Sequence, residues 1–214
     1  MEQIYVYMTQ DKITTALHRL VDHYGHQDWW ESEHYLADVV SMVLIQQTNQ
    51  HNMEKALENL KPHLSLDTLL AMEQSELETL IRPAGFYKQK SKYIKAITHW
   101  FHQHHLTLDS FDRYPTPALR QELLTIQGVG EETADVLLLY IFNRRVFVSD
   151  QYARRLFSRL GFGDFKTYQD MRQYCQPLVE NISLKQCKEW HAAIDVHGKA
   201  FRQNTTMDES WLLN

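Results

Sequence analysis

LLTIQGVGEETADVLLLY, residues 123–140, is an apolar run that breaks at Gly128-Val129-Gly130 and resumes at helical spacing. Two glycines so close together, between two helix-forming segments, predict a tight αα-hairpin. Each permits a backbone with φ > 0 and leaves no side chain in the way. The amides that open the following helix lack intrahelical acceptors and suit a phosphate oxygen. The preceding carbonyls of Leu124, Ile126 and Val129 can converge on a monovalent cation. Such a device grips one phosphodiester without reading base sequence. An ordinary glycine-turned hairpin fits the same residues, and Gly-Val-Gly alone favours that plainer reading.

Outward from the hairpin the chain keeps helical patterning. Residues 11–25 read as an amphipathic helix, and 35–61 as an apolar helix through Ile45, a polar break and a second helix. Two short helices are expected over 66–81, with Ser75 as N-cap and Glu78 completing a capping box. A Pro–Gly turn at 83–85 precedes a helix carrying Tyr93, Ile97 and Trp100 on one stripe. Pro117 suits the first turn of another. Further helices are expected over 146–162, ending at Gly161, and over 168–182 and 184–201. RVFVS, 145–149, is too short and isolated to make a sheet. The expected class is all-α.

The 214 residues are 43 % hydrophobic and 23 % charged, an ordinary globular balance. Two cysteines, Cys175 and Cys187, are too few for a disulfide scaffold or for the four thiolates of an iron–sulfur cluster. A reducing cytoplasm, nucleoid-associated in a bacterium, is the expected setting. Residues 1–12 lack the features of a signal peptide, and no run approaches the roughly 20 apolar residues of a membrane span. The net charge of −5 argues mildly against nucleic acid, but binding follows the local field. Basic runs do occur, YKQKSKYIK at 87–95 and Arg154, Arg155 and Arg159; each is either a DNA-facing or a merely solvated face. His99, His102, His104 and His105 cluster without a matching carboxylate or cysteine pair, so no metal site is expected.

The hairpin segment resembles the helix–hairpin–helix motif of the endonuclease III family of DNA glycosylases. The likeness continues through FVSD at 147–150, VLIQQTNQ at 43–50, IRPAGFYKQKSKYI at 81–94 and HGKAF at 197–201. These motifs follow the family's order over roughly residues 30 to 200, and several in order are far more specific than one. The resemblance implies two helical domains with a DNA-binding cleft between them. One would be a six-helix domain over 30–145 ending in the hairpin, the other residues 1–29 with 146–214.

By its own position Asp150 is a helix N-cap. The resemblance adds that an aspartate here faces the sugar of a flipped nucleotide. Breaking an N-glycosidic bond builds positive charge on the sugar, which a fixed carboxylate stabilises while orienting or deprotonating water. The family's lyase branch carries a lysine eighteen positions before this aspartate, where this chain has Glu132. A carboxylate forms no imine, so strand cleavage is not expected. The mispair-adenine branch has a glutamate at the place of Met42, which removes the acid for an uncharged leaving adenine. That favours cationic alkylated purines and resembles the branch excising 3-methyladenine.

Trp29 and Trp30 are the expected base pocket, since π-faces select a cationic base; plugging a domain junction is the equal alternative. Gln46 resembles the family's wedge that fills the vacated stack. Gly128, Val129, Gly130, Gln46 and Arg154 form the expected DNA-binding set. Lys199 is a candidate for an ionic contact at the C-terminal end. The expected partner is double-stranded DNA with damaged bases, bound by a monomer without a cofactor or iron–sulfur cluster. Two rivals remain: a glycosylase/lyase for oxidised pyrimidines using another amine, and a helix–hairpin–helix DNA-binding protein without catalysis.

Overall fold

The computed structural model describes residues 2–28, 30, 34–104 and 111–214, with side chains from residue 10 onward. Among the described residues it is all helical, with eleven α-helices and no strand. The chain divides into two compact units, a central one of Glu31–Phe142 and a terminal one of Met1–Trp30 with Asn143–Asn214. No helix among the described residues is long and apolar enough to cross a membrane.

The central unit holds α2 (Tyr35–Leu44), α3 (Gln50–Leu60), α4 (Leu66–Ala71), α5 (Gln74–Leu80), α6 (Tyr87–Gln103), α7 (Thr116–Leu123) and α8 (Glu131–Tyr140). Helix α2 is apolar on most of its surface, burying Leu36, Val39, Val40, Val43 and Leu44, and accordingly packs against α3, α6 and α8. Helix α6 presents Ile94, Ile97 and Phe101 to the same core. An aromatic group closes it: Trp100 stacks on Phe111 at 5.2 Å, and Phe142 meets Phe111 edge-on at 4.9 Å.

The expected capping box at Ser75 and Glu78 does not form. Glu73 takes the extended backbone of an N-cap, so Ser75 is already inside α5, where its carbonyl accepts from Thr79 Oγ1. Glu78 instead accepts from Gln74 Nε2 at 3.2 Å. The serine cap lies one helix earlier, Ser65 receiving the Thr68 amide at the start of α4. Capping boxes do open the two last long helices, at Thr167–Asp170 and Ser183–Gln186.

The basic run at 87–95 is neither one solvated face nor one DNA-facing face. Lys90 is buried, and its Nζ donates to the Leu44 carbonyl at 2.7 Å and the Ala84 carbonyl at 2.8 Å. It therefore closes the C-terminus of α2 and ties it to the 3₁₀ turn Arg82–Ala84. Burial pushes the ammonium down to about 8. Lys95 does the same for α4, donating to the carbonyls of Leu69 at 2.6 Å, Leu70 at 2.9 Å and Met72. Only Lys88 and Lys92 of the four lysines stand exposed.

The terminal unit is built from α1 (Glu2–Tyr24), α9 (Gln151–Arg159), α10 (Tyr168–Glu180) and α11 (Leu184–Gln203), with α11 packed on both α1 and α9. The buried cysteines lie on separate helices, α10 and α11. Burial raises both thiols, Cys187 to about 11, so neither is a reactive thiolate.

A C-terminal segment straps this unit. Arg19 donates to the Leu212 carbonyl at 2.9 Å, and Leu212 is buried. Tyr24 Oη shares a hydrogen bond with His197 Nδ1 at 2.9 Å, while His197 Nε2 meets Glu209 at 2.6 Å. Glu209 also takes a two-point bond from Arg159, at 2.6 and 2.8 Å. Burial alone would raise the Glu209 carboxyl, but these partners hold it below its ordinary value. Arg159 lies 3.7 Å over the Phe201 ring, so this member of the second basic run serves packing. Lys199 pairs with Asp195 on its own helix, not with the tail.

Candidate active site

The hairpin joins α7 to α8. Its two glycines differ: both permit φ > 0, and only Gly128 uses it. Gly128 has φ +90, whereas Gly130 is extended at φ −87, ψ −178 and serves as the N-cap position of α8. A Cβ on Gly128 would fall 2.1 Å from Tyr93 Cγ, so α6 packs directly onto the hairpin backbone. Around Gly130 nothing lies within 4 Å of such a Cβ. One glycine fits the turn and its packing; the other leaves open space beside a helix start.

Val129 is buried and its amide donates to the Ile126 carbonyl at 3.0 Å, which tightens the turn. The first intrahelical bond of α8 runs from Ala134 N to Gly130 O at 2.8 Å. Amides before that point are directed out of the helix start. Glu131 and Glu132 occupy the first turn, where negative charge complements the helix dipole. Glu131 also lies 3.7 Å from Arg120, whose main partner is the buried Asp135 at 2.8 Å. Glu132 is exposed. The glutamates are thus accounted for by local electrostatics without an amine at either position.

Gln46, in the turn after α2, donates from Nε2 to the Gly128 carbonyl at 3.1 Å and to Thr133 Oγ1 at 3.3 Å. The turn and the hairpin are one assembly. Next to it Gln47 is exposed with a left-handed backbone, φ 52, and Ile45 is 37 % exposed. Phe86 is a residue that no helical stripe in the sequence singles out. It follows Gly85, has φ 45, and is 65 % exposed at the start of α6. A left-handed backbone carrying a solvent-facing phenyl makes this turn a candidate contact point. Lys90 fastens this segment to the end of α2 through the Leu44 and Ala84 carbonyls. The signal in the sequence was an aromatic directly after a turn glycine, outside any helical stripe.

Asp150 lies in the terminal unit, at the end of a buried non-helical segment, Val146 to Ser149. It is the N-cap of α9, Oδ1 accepting from the Ala153 amide at 2.7 Å. The residue is only 8 % exposed. Burial pushes its carboxyl up to about 6; the Ala153 amide opposes this, Asp195 on α11 adds to it, and the Tyr152 amide and Arg154 oppose it. A cap explains the hydrogen bond but not the cost of burying the charge. His191 on α11, also unforeseen, places Nε2 3.9 Å from Asp150 Oδ2. Arg154 donates to the Lys166 carbonyl at 3.3 Å and is half-buried. Trp30 is half-buried in the terminal unit, and Trp29 lies outside the described residues. Among the described residues no group of three or more His, Cys, Asp and Glu side chains could hold a metal ion.

The structure thus assembles two clusters: Gln46 with the hairpin in the central unit, and Asp150 with His191 and Asp195 in the terminal unit. Residues 40–181 match the model of the HhH-GPD superfamily base excision DNA repair protein. A candidate DNA repair glycosylase of Methanocaldococcus jannaschii is 40 % identical over 187 residues, spanning 85 % of this chain and 84 % of the relative. Endonuclease III of Sulfolobus acidocaldarius is 27 % identical over 79 % of this chain and 74 % of its own length. Among solved structures, an H. pylori 3-methyladenine DNA glycosylase bound to 1,N6-ethenoadenine superposes with a TM-score of 0.72 at 26 % identity, covering 93 % of this chain and 99 % of that one. A trapped endonuclease III–DNA covalent intermediate shares the fold, with a TM-score of 0.71 at 20 % identity over 89 % of this chain and 86 % of that one. The chain belongs to the HhH-GPD superfamily of base excision DNA repair proteins.

Proposed function

We propose that the protein is a monofunctional glycosylase for alkylated purines of the 3-methyladenine kind in double-stranded DNA. The observation that carries this reading is Asp150, a carboxyl group buried at a helix start and raised to about 6 without a direct ion pair closer than His191 at 3.9 Å. In the proposed reaction the C1′–N bond of a flipped nucleotide breaks, and its electron pair leaves with the cationic purine, which departs neutral. Asp150 stabilises the sugar cation and orients the attacking water, whose proton passes to the carboxylate and on to solvent. The product is an abasic site.

Several observations support the finer points. Glu132 offers no amine for an imine at the lyase position, and Lys90 and Lys95 have their ammonium groups committed to backbone carbonyls. Met42 supplies no acid for an uncharged leaving base, which suits a substrate already cationic. The likeness at 26 % identity to a 3-methyladenine glycosylase points the same way. On the DNA side, Gly128, Val129 and Gly130 seat a phosphate, the carbonyls of Leu124, Ile126 and Val129 hold a monovalent cation, and Arg154 adds positive charge. Gln46, Gln47 and the exposed Phe86 fill and stack against the distorted duplex. Trp29 and Trp30 are the residues assigned to the base pocket. The protein acts as a monomer without a redox cofactor or iron–sulfur cluster, for which two cysteines are too few.

Free-base release from methylated duplex DNA tests the reading. The wild type releases alkylated purine, and Asp150→Asn reduces the rate by roughly 10²–10³. Equal release by the variant refutes the role of Asp150. A covalent adduct trapped by borohydride on abasic DNA refutes the monofunctional assignment.

A further inference from the structure

Helix α11 carries His191, Asp195 and Lys199 at intervals of four residues, so the three share one stripe. Lys199 Nζ bonds Asp195 Oδ2 at 2.6 Å. Asp195 in turn acts on Asp150 through space, disfavouring its negative charge. His191 Nε2 stands 3.9 Å from Asp150 Oδ2, with both side chains largely buried, 14 % and 11 % exposed. From α9 the groups facing this carboxyl are the amides of Tyr152 and Ala153 and the guanidinium of Arg154. Gly198 sets the spacing: a Cβ there would fall 2.3 Å from Tyr152 Cδ1, so its absence lets α11 close onto the first turn of α9.

A carboxylate that stabilises a sugar cation must keep both its charge and its direction. Asp150 Oδ1 is fixed by the Ala153 amide. Oδ2 borders an imidazole, farther than a direct hydrogen bond but well within Coulomb range. When that ring is protonated, its charge would act against both the burial and the Asp195 charge.

We propose that His191 is a positioning residue for the reaction, orienting Asp150 through the Nε2–Oδ2 contact and, when protonated, holding its negative charge in place. The proposal rests on the reading of Asp150 as the catalytic carboxylate. The working form of Asp150 is ionised, and a cation alongside favours that form. Loss of the imidazole therefore moves the acidic limb of activity to higher pH.

Two measurements test it. In the free protein, ¹³C NMR follows the Asp150 carboxyl carbon through a pH titration, with Asp150→Asn giving the assignment. His191→Gln moves the midpoint to higher pH, and His191→Lys returns it to the wild-type value or below. Single-turnover release of methylated purine is then followed from about pH 5 to about pH 9. His191→Gln loses most at the acidic end, about tenfold for each unit by which the limb moves, and far less at the alkaline end. His191→Lys recovers the acidic rate. His191→Asn replaces His191→Gln should the latter fail to fold by circular dichroism. A midpoint unmoved by the substitution, or a loss equal at every pH, overturns the inference. Undiminished release by Asp150→Asn would instead overturn the functional reading, and the NMR titration would still decide whether the two groups act on each other.

Discussion

Gln46 Nε2 donates to the Gly128 carbonyl at 3.1 Å, joining the turn after α2 to a hairpin glycine 82 positions away. The second bond, to Thr133 Oγ1, reaches the first turn of α8. Gln46→Ala should therefore lower unfolding free energy in urea by about 1 kcal/mol, the worth of a part-buried hydrogen bond. DNA affinity should fall with it. A side chain that only filled a vacated base stack would leave stability unchanged.

The hairpin glycines should separate in their effects. Gly128→Ala puts a Cβ 2.1 Å from Tyr93 Cγ at φ +90 and should cost more than about 3 kcal/mol, read from the urea midpoint. Gly130→Ala meets no neighbour within 4 Å and should cost less than about 1 kcal/mol. Its deficit should appear in DNA binding, because the methyl enters the space beside the outward-directed amides. Equal destabilisation by both would contradict these geometries.

Lys90→Met removes the donor shared by the Leu44 and Ala84 carbonyls. Leaving two buried acceptors unsatisfied should cost about 2–4 kcal/mol. The slope of log affinity against log salt should stay unchanged, since this ammonium does not reach a phosphate. A lysine on the DNA would reduce that slope by about 1. Lys88→Ala and Lys92→Ala, at the exposed positions, test whether either makes such a contact.

Asp150 is held near 6 by burial, above its ordinary value of 3.8, so the folded chain favours its protonated form. Its contribution to stability is greatest below about pH 4, declines as pH rises to about 6, and stays lower above that. The difference is on the order of 2–3 kcal/mol. Asp150→Asn keeps a capping oxygen without the charge. The variant should melt higher than the wild type at pH 8, and the gap should close below about pH 4, as differential scanning calorimetry would show. Identical pH dependence of the two proteins would contradict the burial of a charge there.

The helices were legible because each buries a stripe at helical period, but α9 is shorter than the expected 146–162: it runs Gln151–Arg159, opening only after Asp150, with Gly161 at φ 72 two residues beyond its end. The Gly-Val-Gly hairpin was legible as a turn, but not the division of labour between its glycines, since φ > 0 is permitted at both and only Tyr93 distinguishes them. Ser75 failed as a cap because the chain had already entered α5 after Glu73. Lys90 and Lys95 were unreadable in kind: a lysine four or five residues from another normally signals a solvated face, and nothing local announces that a carbonyl from α2 or α4 is waiting for it.

The amino-acid order by itself determined the all-helical class, the hairpin and the ordered motifs that place the chain in its superfamily. Those features depend on residues near one another along the chain, where periodicity and turn chemistry act. Only the tertiary structure decided that Gln46 holds Gly128, that Lys90 joins the end of α2 to the 3₁₀ turn Arg82–Ala84, that the C-terminal segment is anchored through Glu209, and that His191 borders Asp150. Each of these joins side chains or carbonyls far apart in sequence, and burial turns such contacts from weak surface interactions into ones that fix geometry and charge.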